Sequence, residues 1–201
     1  MPPLSKIVVC ASGEGTNFQA IAEACRQGRI HAEVTGLIAS RSGCGAIQRA
    51  GQLGIPSAVL APKAFEGRES WDRALLQQLG KWQADWVVLA GYLCLVGPEV
   101  LGHYSGRMIN SHPALLPKYG GQGMFGIHVH RAVLKAQDKE TGVTIHLIDA
   151  EYDRGKILAQ ERIAVREDES PEQLERRVKA LEIQLYPRVL NDLVTGRITT
   201  G

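Results

Sequence analysis

Asn110 and His112 have the residue types and the spacing for acyl-transfer chemistry. They stand at the end of a short segment, residues 107–110, that predicts a strand, and Pro113 follows them. Because side chains two residues apart in a strand point to the same side, the amide and the imidazole can act on one group. An amide N–H stabilises a developing oxyanion, while an imidazole moves a proton. The spacing leaves open a second, commoner interpretation, in which His112 only ends a strand and Asn110 only starts a turn.

A glycine-rich loop near the N-terminus has the composition of an anion-binding turn. Residues 12–17, Ser-Gly-Glu-Gly-Thr-Asn, lie between a predicted strand and a helix that begins near Phe18. Exposed N–H groups and the positive end of the helix dipole suit a phosphate there. An ordinary tight turn with Thr16 or Asn17 capping the helix is the alternative. Because Phe18 replaces the third glycine of a dinucleotide fingerprint, a phosphate of mononucleotide type is favoured over NAD or ATP.

Asp153 is a third candidate, in the turn formed by residues 151–156. A buried carboxylate could orient a histidine and raise the pKa of His112, whereas a turn aspartate that bonds its own backbone is the alternative. The spacing of His128 and His130 invites a metal, but no acidic or cysteine ligand stands at a supporting position. The sequence therefore predicts no metal site.

Alternating apolar segments must position these candidates. The predicted strands are residues 6–10, 34–40, 58–60, 86–90, 107–110, 142–148 and 157–165, with Thr144, His146 and Ile148 on one face. The predicted helices begin near Phe18 and stop by Gly28, or span residues 46–53, 68–82 and 171–190. This order predicts one α/β domain with a mostly parallel, twisted sheet of about seven strands and helices on both faces. Residues 111–129, rich in glycine and proline, predict an irregular segment.

Composition excludes several classes of protein. The 201 residues are 44% hydrophobic and 22% charged, with a net charge of +2 from 23 basic and 21 acidic residues. We therefore expect neither a nucleic-acid partner nor a membrane partner. The longest apolar run, residues 86–90, has the length of a strand, and the first six residues lack the features of a signal peptide. Four widely spaced cysteines, without a Cys-x-x-Cys pair, predict reduced thiols and a cytoplasmic location; they are Cys10, Cys25, Cys44 and Cys94.

The motifs in this order resemble the glycinamide ribonucleotide transformylases, a family within the folate-dependent formyltransferases. The resemblance covers about residues 6–193 and rests on Ser-Gly-x-Gly-Thr-Asn at 12–17, Leu-Ala-Gly-Tyr at 89–92, Gly-Val-Thr-Ile-His at 142–146, and Asp153. Its most specific element is Asn-x-His-Pro-Ala-Leu-Leu-Pro at 110–117. The resemblance implies a formyltransferase fold with a Rossmann-like N-terminal half. It also implies transfer of the formyl group of 10-formyltetrahydrofolate to glycinamide ribonucleotide in purine biosynthesis, without a metal.

The resemblance assigns roles to individual residues. Residues 1–201 would form one domain, with a phosphoribosyl-binding half at about 1–105 and a folate-binding and catalytic half at about 106–201. The catalytic set would be Asn110, His112 and Asp153. Substrate binding would fall to Gly15, Thr16, Asn17 and Glu182. The folate would meet Arg68, Leu93, Cys94, Leu95, Val96, Asn110, Asp149, Ala150, Glu151 and Tyr152. The partners would be small-molecule substrates, and the protein would be a monomer or a homodimer.

Three departures from the family pattern are visible. Cys94 stands where many relatives have arginine, and Arg-Gly-Lys at 154–156 replaces a common Gly-Gly-Pro type of turn. Residues 122–126, Gln-Gly-Met-Phe-Gly, resemble an insertion that either covers the site or packs against a partner.

Four other functions share part of this pattern. A formyltetrahydrofolate deformylase shares the catalytic set but usually carries a preceding domain, and a methionyl-tRNA formyltransferase carries a further domain and a basic surface. An NADP-dependent oxidoreductase could use Arg41 to bind a 2′-phosphate, but the glycine fingerprint of such enzymes is broken in this sequence. A non-catalytic phosphate-sugar binding module would leave Asn110, His112 and Asp153 without a role.

Overall fold

The computed structural model describes residues 3–200, and its seven-stranded sheet confirms the predicted fold class. The strands are β1 (Ser5–Ala11), β2 (Ala32–Ala39), β3 (Ser57–Val59), β4 (Trp86–Leu89), β5 (Met108–His112), β6 (Glu140–Leu147) and β7 (Ile157–Ala164). Their order in the sheet is β3-β2-β1-β4-β5-β6-β7. The first five pair in parallel, and β6 and β7 join the sheet antiparallel.

Helices cover both faces of the sheet. They are α1 (Thr16–Arg26), α2 (Gly45–Gln52), α3 (Arg68–Lys81), α4 (Pro98–His103), α5 (Ile127–Lys135) and α6 (Pro171–Val194), with a short 3-10 helix at Pro62–Ala64. One apolar core joins α1, α2, α5 and α6 to the sheet, and Phe18 and Tyr186 are fully buried in it. A second core on the opposite face holds α3 and α4 through Trp71, Leu75 and Val100. Within residues 3–200, no helix is both long enough and apolar enough to cross a membrane.

Local sequence explains most of these elements. Residues 7–11 of β1 are apolar on both faces because helices cover both, as in other parallel sheets. At the start of α6, Ser170 and Gln173 form a reciprocal capping box, and Pro171 occupies the first helical position. The helix runs to Val194, four residues beyond its predicted end.

The segment predicted to be irregular is shorter than expected. Strand β5 continues through His112, whose backbone pairs with Thr144 of β6, so His112 belongs to the strand instead of leaving it. At the other end, α5 begins at Ile127. Helices α4 and α5 were not predicted, because six residues are too few to show a period and the polar His130 interrupts the apolar pattern of α5.

The strand order places a crevice above the carboxyl ends of the parallel strands. After β1 the chain moves outwards to β2 and β3, and it then crosses back to place β4 on the other side of β1. The loops that follow β1 and β4 therefore diverge. Such a switch in strand order is where open α/β sheets bind ligands.

Candidate functional site

Asn110 and His112 lie on one face of β5, as their spacing predicted. Across the antiparallel pair with β6, Asn110 is opposite His146 and His112 is opposite Thr144. His112 is 3% exposed. Its Nε2 lies 2.7 Å from the Tyr119 carbonyl oxygen, so that the Nε2–H donates there and Nδ1 is the atom left to gain or lose a proton.

Asp153 lies against two histidines. Its Oδ2 is 3.5 Å from His112 Nδ1, and its Oδ1 is 3.5 Å from His146 Nε2. The Gly121 N–H donates to the same carboxylate at 2.9 Å. Asp153 adopts a left-handed backbone conformation, with φ of 56°, which aspartate tolerates better than most residues. The carboxylate therefore points into the site, and the turn aspartate that bonds its own backbone is not what the structure has.

Asp153 raises the pKa of His112 as predicted, but the net pKa lies below the ordinary value because the ring is buried. Burial lowers the pKa of His112 below its ordinary value, although Asp153 and the Tyr119 carbonyl each raise it. Burial alone would raise the pKa of Asp153, but His146, His112 and the Gly121 N–H together hold it below the ordinary value. The free protein therefore presents a neutral imidazole beside a carboxylate. Burial destabilises the imidazolium more than the single nearby carboxylate stabilises it.

His146 is a site residue that the functional prediction missed. Its Nε2 is 3.2 Å from Asn110 Nδ2, and its Nδ1 is 2.8 Å from the Leu147 carbonyl oxygen. Since a carbonyl only accepts, Nδ1 donates to Leu147, and Nε2 faces both the Asn110 amide and the Asp153 carboxylate. The predicted alternation of Thr144 and His146 on one face of β6 was the available signal. The pairing register that brings His146 opposite Asn110 was not visible in the sequence.

The glycine loop after β1 leads directly into α1. Gly15 is the N-cap residue, with φ of 76°, and no side chain within residues 3–200 caps this end of the helix. The alternative with Thr16 or Asn17 as a cap is therefore wrong, and these first residues of α1 line the cavity described below. A Cβ at Gly15 would lie 2.6 Å from the Cα of Ala46 in α2. Glycine is required there by helix packing as well as by backbone conformation.

A buried polar cluster adjoins this loop. Glu182 of α6 lies beside Asn17 and accepts a hydrogen bond from the Ser111 hydroxyl. Burial raises the pKa of Glu182 to about 7, against the opposing effects of Asn17 and Lys179. The Asn17 Oδ1 is buried and has no hydrogen-bond partner within the described residues. Such an atom costs free energy unless a ligand or water bonds to it.

The loop after β4 forms the opposite side of the site. Leu93 N–H donates to Ser12 Oγ at 2.9 Å, which joins this loop to the glycine loop. Arg68 of α3 is exposed, and its guanidinium lies 3.5 Å from the Leu95 carbonyl and 3.4 Å from the Val96 carbonyl. It therefore contacts the outer side of this loop.

These segments enclose one cavity of about 660 Å³. Most of the predicted site residues line it: Gly15, Thr16, Asn17, Leu93, Cys94, Leu95, Val96, Asn110, His112, Asp149, Glu151, Tyr152, Asp153 and Glu182. Arg68 and Ala150 are not among its lining residues. Within residues 3–200, three of the four buried side-chain atoms without a partner belong to lining residues, namely Asn17, Tyr92 and His130. This concentration of unpaired polar atoms indicates a cavity built for a polar ligand.

The proposed insertion lies at the mouth of the cavity. Residues 121–126 all line it, and Phe125 is 46% exposed, with its ring 5.7 Å from that of His128. Burial, with a smaller contribution from His112, lowers the pKa of His130 to about 4. Within residues 3–200, no group of three or more His, Cys, Asp or Glu side chains could hold a metal ion.

Comparison with known proteins gives one consistent result. The family model described as formyl transferase matches residues 5–190. The chain is 36% identical over 192 residues to phosphoribosylglycinamide formyltransferase of Escherichia coli (strain K12), covering 96% of this chain and 88% of that protein. It is 40% identical over 201 residues to the chloroplastic phosphoribosylglycinamide formyltransferase of Arabidopsis thaliana, covering 98% of this chain and 68% of that protein.

Solved structures agree with the sequence comparison. Glycinamide ribonucleotide transformylase 1 from Symbiobacterium toebii superposes with a TM-score of 0.92 at 34% identity, covering 98% of this chain and 91% of that chain. Phosphoribosylglycinamide formyltransferase from Bacillus halodurans gives a TM-score of 0.90 at 38% identity, with 96% and 97% of the two chains covered. The chain, with its Asn-x-His motif on β5 and Asp153 beside it, therefore belongs to the formyl transferase family.

Proposed function

We propose that this protein transfers the formyl group of 10-formyltetrahydrofolate to the amine of glycinamide ribonucleotide. The products are formylglycinamide ribonucleotide and tetrahydrofolate, and the reaction is a step in purine biosynthesis. The observation that carries the proposal is the convergence of Asn110, His112 and Asp153 in a cavity that also holds an uncapped helix N-terminus, with the buried His146 in contact with Asn110 and Asp153. The names of the relatives point to the same reaction.

The catalytic residues can divide the work of acyl transfer. The amine nitrogen attacks the formyl carbon, the new C–N bond forms, and the bond from that carbon to N10 of the folate breaks. Asn110 has one N–H directed at His146 and a second one free to donate to the formyl oxygen as negative charge develops there. His112 takes the proton that the amine loses and returns a proton to N10. Because that proton sits on Nδ1, Asp153 stabilises the imidazolium while it lasts.

The two substrates would enter from different sides of the cavity. The N–H groups at Gly15, Thr16 and Asn17 would hold the phosphate of the ribonucleotide, and Glu182 would accept from its ribose hydroxyls. The folate ring would lie against residues 93–96 and 149–152, where main-chain groups can bond it. Arg68 would reach the folate only beyond the edge of the cavity. The division into a phosphoribosyl half and a folate half is part of this proposal, with Glu182 as its exception.

An absorbance assay tests the reaction directly. The protein is mixed with 10-formyltetrahydrofolate, and the folate spectrum is followed with and without glycinamide ribonucleotide. We expect conversion to tetrahydrofolate only when the ribonucleotide is present, with formylglycinamide ribonucleotide formed in equal amount and detected by mass spectrometry. Loss of the formyl group without ribonucleotide would identify a hydrolase of the deformylase type instead. Binding of the ribonucleotide without any turnover would identify a binding module.

The cytoplasmic location and the choice between monomer and homodimer stay predictions from the sequence.

A further inference from the structure

Asp72 is a buried carboxylate that bonds to Gly97, at the end of the loop after β4, and to the first turn of α4. It lies on α3 and is 2% exposed. Its Oδ1 accepts from the Gly97 N–H at 2.9 Å, and its Oδ2 accepts from the N–H groups of Glu99 at 3.0 Å and Val100 at 3.4 Å. One side chain therefore holds three backbone groups of another element, through bonds strengthened by its charge.

The contact depends on a glycine in the loop. A Cβ at Gly97 would overlap the Asp72 carboxyl group. The Gly97 φ of −86° is open to any residue, so the glycine is explained by the close approach of the carboxylate and not by its backbone conformation. Asp72 and Gly97 fit each other as a pair.

The segment held in this way is a wall of the cavity. Residues 93–96 line the cavity and are fixed at both ends, by Leu93 N–H to Ser12 Oγ and by Gly97 N–H to Asp72. Arg68, one helical turn before Asp72 on α3, adds contacts to the Leu95 and Val96 carbonyls. Helix α3 thus supports the main chain of this wall, the part that can bond a planar ring.

This support belongs to one layer of the molecule. Trp71, Val96 and Val100 are buried in the core on the α3 side of the sheet, whereas Phe18 of α1 and Leu185 of α6 are buried in the core on the other side. A local displacement of residues 93–97 can therefore leave the glycine loop and Glu182 in place. A substitution in one layer can therefore change the affinity for one substrate and leave the affinity for the other unchanged.

We propose that Asp72 is a positioning residue that sets the formyl-donor wall of the cavity, and that it controls affinity for the folate without touching it. The inference rests on the proposed function, since it takes residues 93–96 as the folate wall. A cap that served stability alone would lower the melting temperature and leave both affinities unchanged. Replacing a positioning residue of the folate wall should instead weaken folate binding and leave ribonucleotide binding unchanged.

The test compares Asp72→Asn with Glu69→Gln, an exposed carboxylate one turn earlier on the same helix. Calorimetry measures the dissociation constants for tetrahydrofolate and for glycinamide ribonucleotide, and hydrogen exchange measures protection of residues 93–100 and 12–17. For Asp72→Asn we expect about tenfold weaker tetrahydrofolate binding, the equivalent of one lost bond of about 1.4 kcal/mol, and faster exchange at 93–100. Ribonucleotide binding and exchange at 12–17 should match the wild type, as should every value for Glu69→Gln.

Other results would contradict either this inference or the proposed function. Unchanged tetrahydrofolate affinity together with a lower melting temperature would make Asp72 a structural cap and overturn the inference, as would equal loss of both affinities. If Asp72→Asn does not fold, Gly97→Ala disturbs the same contact from the loop side and should give the same selective loss. Failure of the wild type to bind tetrahydrofolate would refute the proposed function itself, a result seen before any variant is compared.

Discussion

Asn110 can serve as an oxyanion donor only if its amide keeps one orientation. The oxygen and nitrogen of an amide have nearly the same shape, and a rotation of 180° would present an acceptor to the formyl oxygen. His146 bears on this orientation, because its Nδ1 donates to the Leu147 carbonyl and its Nε2 lies 3.2 Å from Asn110 Nδ2. We expect the pairing of β5 with β6 to position the Asn110 amide for the substrate.

Removal of the Asn110 side chain should affect turnover much more than binding. We expect Asn110→Ala to lower kcat about 10²–10³-fold, the usual effect of losing one oxyanion donor, with little change in either Michaelis constant. Steady-state kinetics with each substrate varied in turn measures both effects. Asn191→Ala is the matched control, since this amide accepts from the His31 N–H far from the cavity. A rise in the Michaelis constants at unchanged kcat would contradict the assigned role.

Replacement of Asp153 should lower the pKa of His112 further. In the protein, burial already lowers this pKa and Asp153 raises it, so Asp153→Asn removes the raising contribution. The acid limb of the rate profile should then move to lower pH, because deprotonated His112 persists further into acid, while kcat falls at every pH. NMR titration of the His112 imidazole measures the pKa directly.

Asp168→Asn controls for the backbone conformation, because Asp168 has the same φ of 56° in an exposed turn. An unmoved His112 pKa with normal turnover in Asp153→Asn would reduce Asp153 to a turn residue.

The loop formed by residues 121–126, which lines the cavity, differs from the strands in its backbone conformation. Gly121, Gly123 and Gly126 all have positive φ, and Phe125 is about half exposed on this loop. The loop makes short-range backbone bonds, such as Met124 N–H to the Gly121 carbonyl, and Gly121 also bonds to Asp153. A loop that contacts Asp153, the carboxylate proposed to be catalytic, at one end and exposes an aromatic side chain at the other can cover a ligand.

Hydrogen exchange can distinguish a mobile cover from a rigid loop. We expect residues 121–126 to exchange rapidly in the free protein and more slowly when both substrates' analogues are bound. The control segment is residues 27–31, the turn between α1 and β2, which does not line the cavity and should not change. Slow exchange in the free protein, unchanged by ligands, would favour a rigid packed loop.

At the scale of the whole molecule, the cavity joins the two layers of helices. The glycine loop and Glu182 belong to the layer of α1 and α6, and the loop after β4 belongs to the layer of α3 and α4. The residues proposed as catalytic come from the sheet between the layers and from the loop after β6. Helix α6, last in the chain, packs beside α1, so halves of the sequence do not correspond to halves of the structure.

Elements with local signals were predictable from the amino-acid sequence. A short apolar run predicts a buried parallel strand such as β1, and Ser170 and Pro171 mark the N-terminus of α6. The alternation of strands and helices then leaves few topologies open, and the motif at 110–117 indicates acyl transfer. Helices α4 and α5 were missed because one is very short and the other carries a buried histidine.

Contacts between residues that are distant in the sequence depend on the folded chain. The contact of Asn110 with His146 spans 36 residues and depends on the register of an antiparallel pair, which a shift of one residue would abolish. The net direction of the His112 pKa depends on how completely the fold removes the ring from water, and residue type cannot reveal this. The fit of Asp72 to Gly97 depends on the distance between two packed helices. Local patterns fix elements because they act within a few residues, whereas register, burial and packing distance arise only when the whole chain has folded.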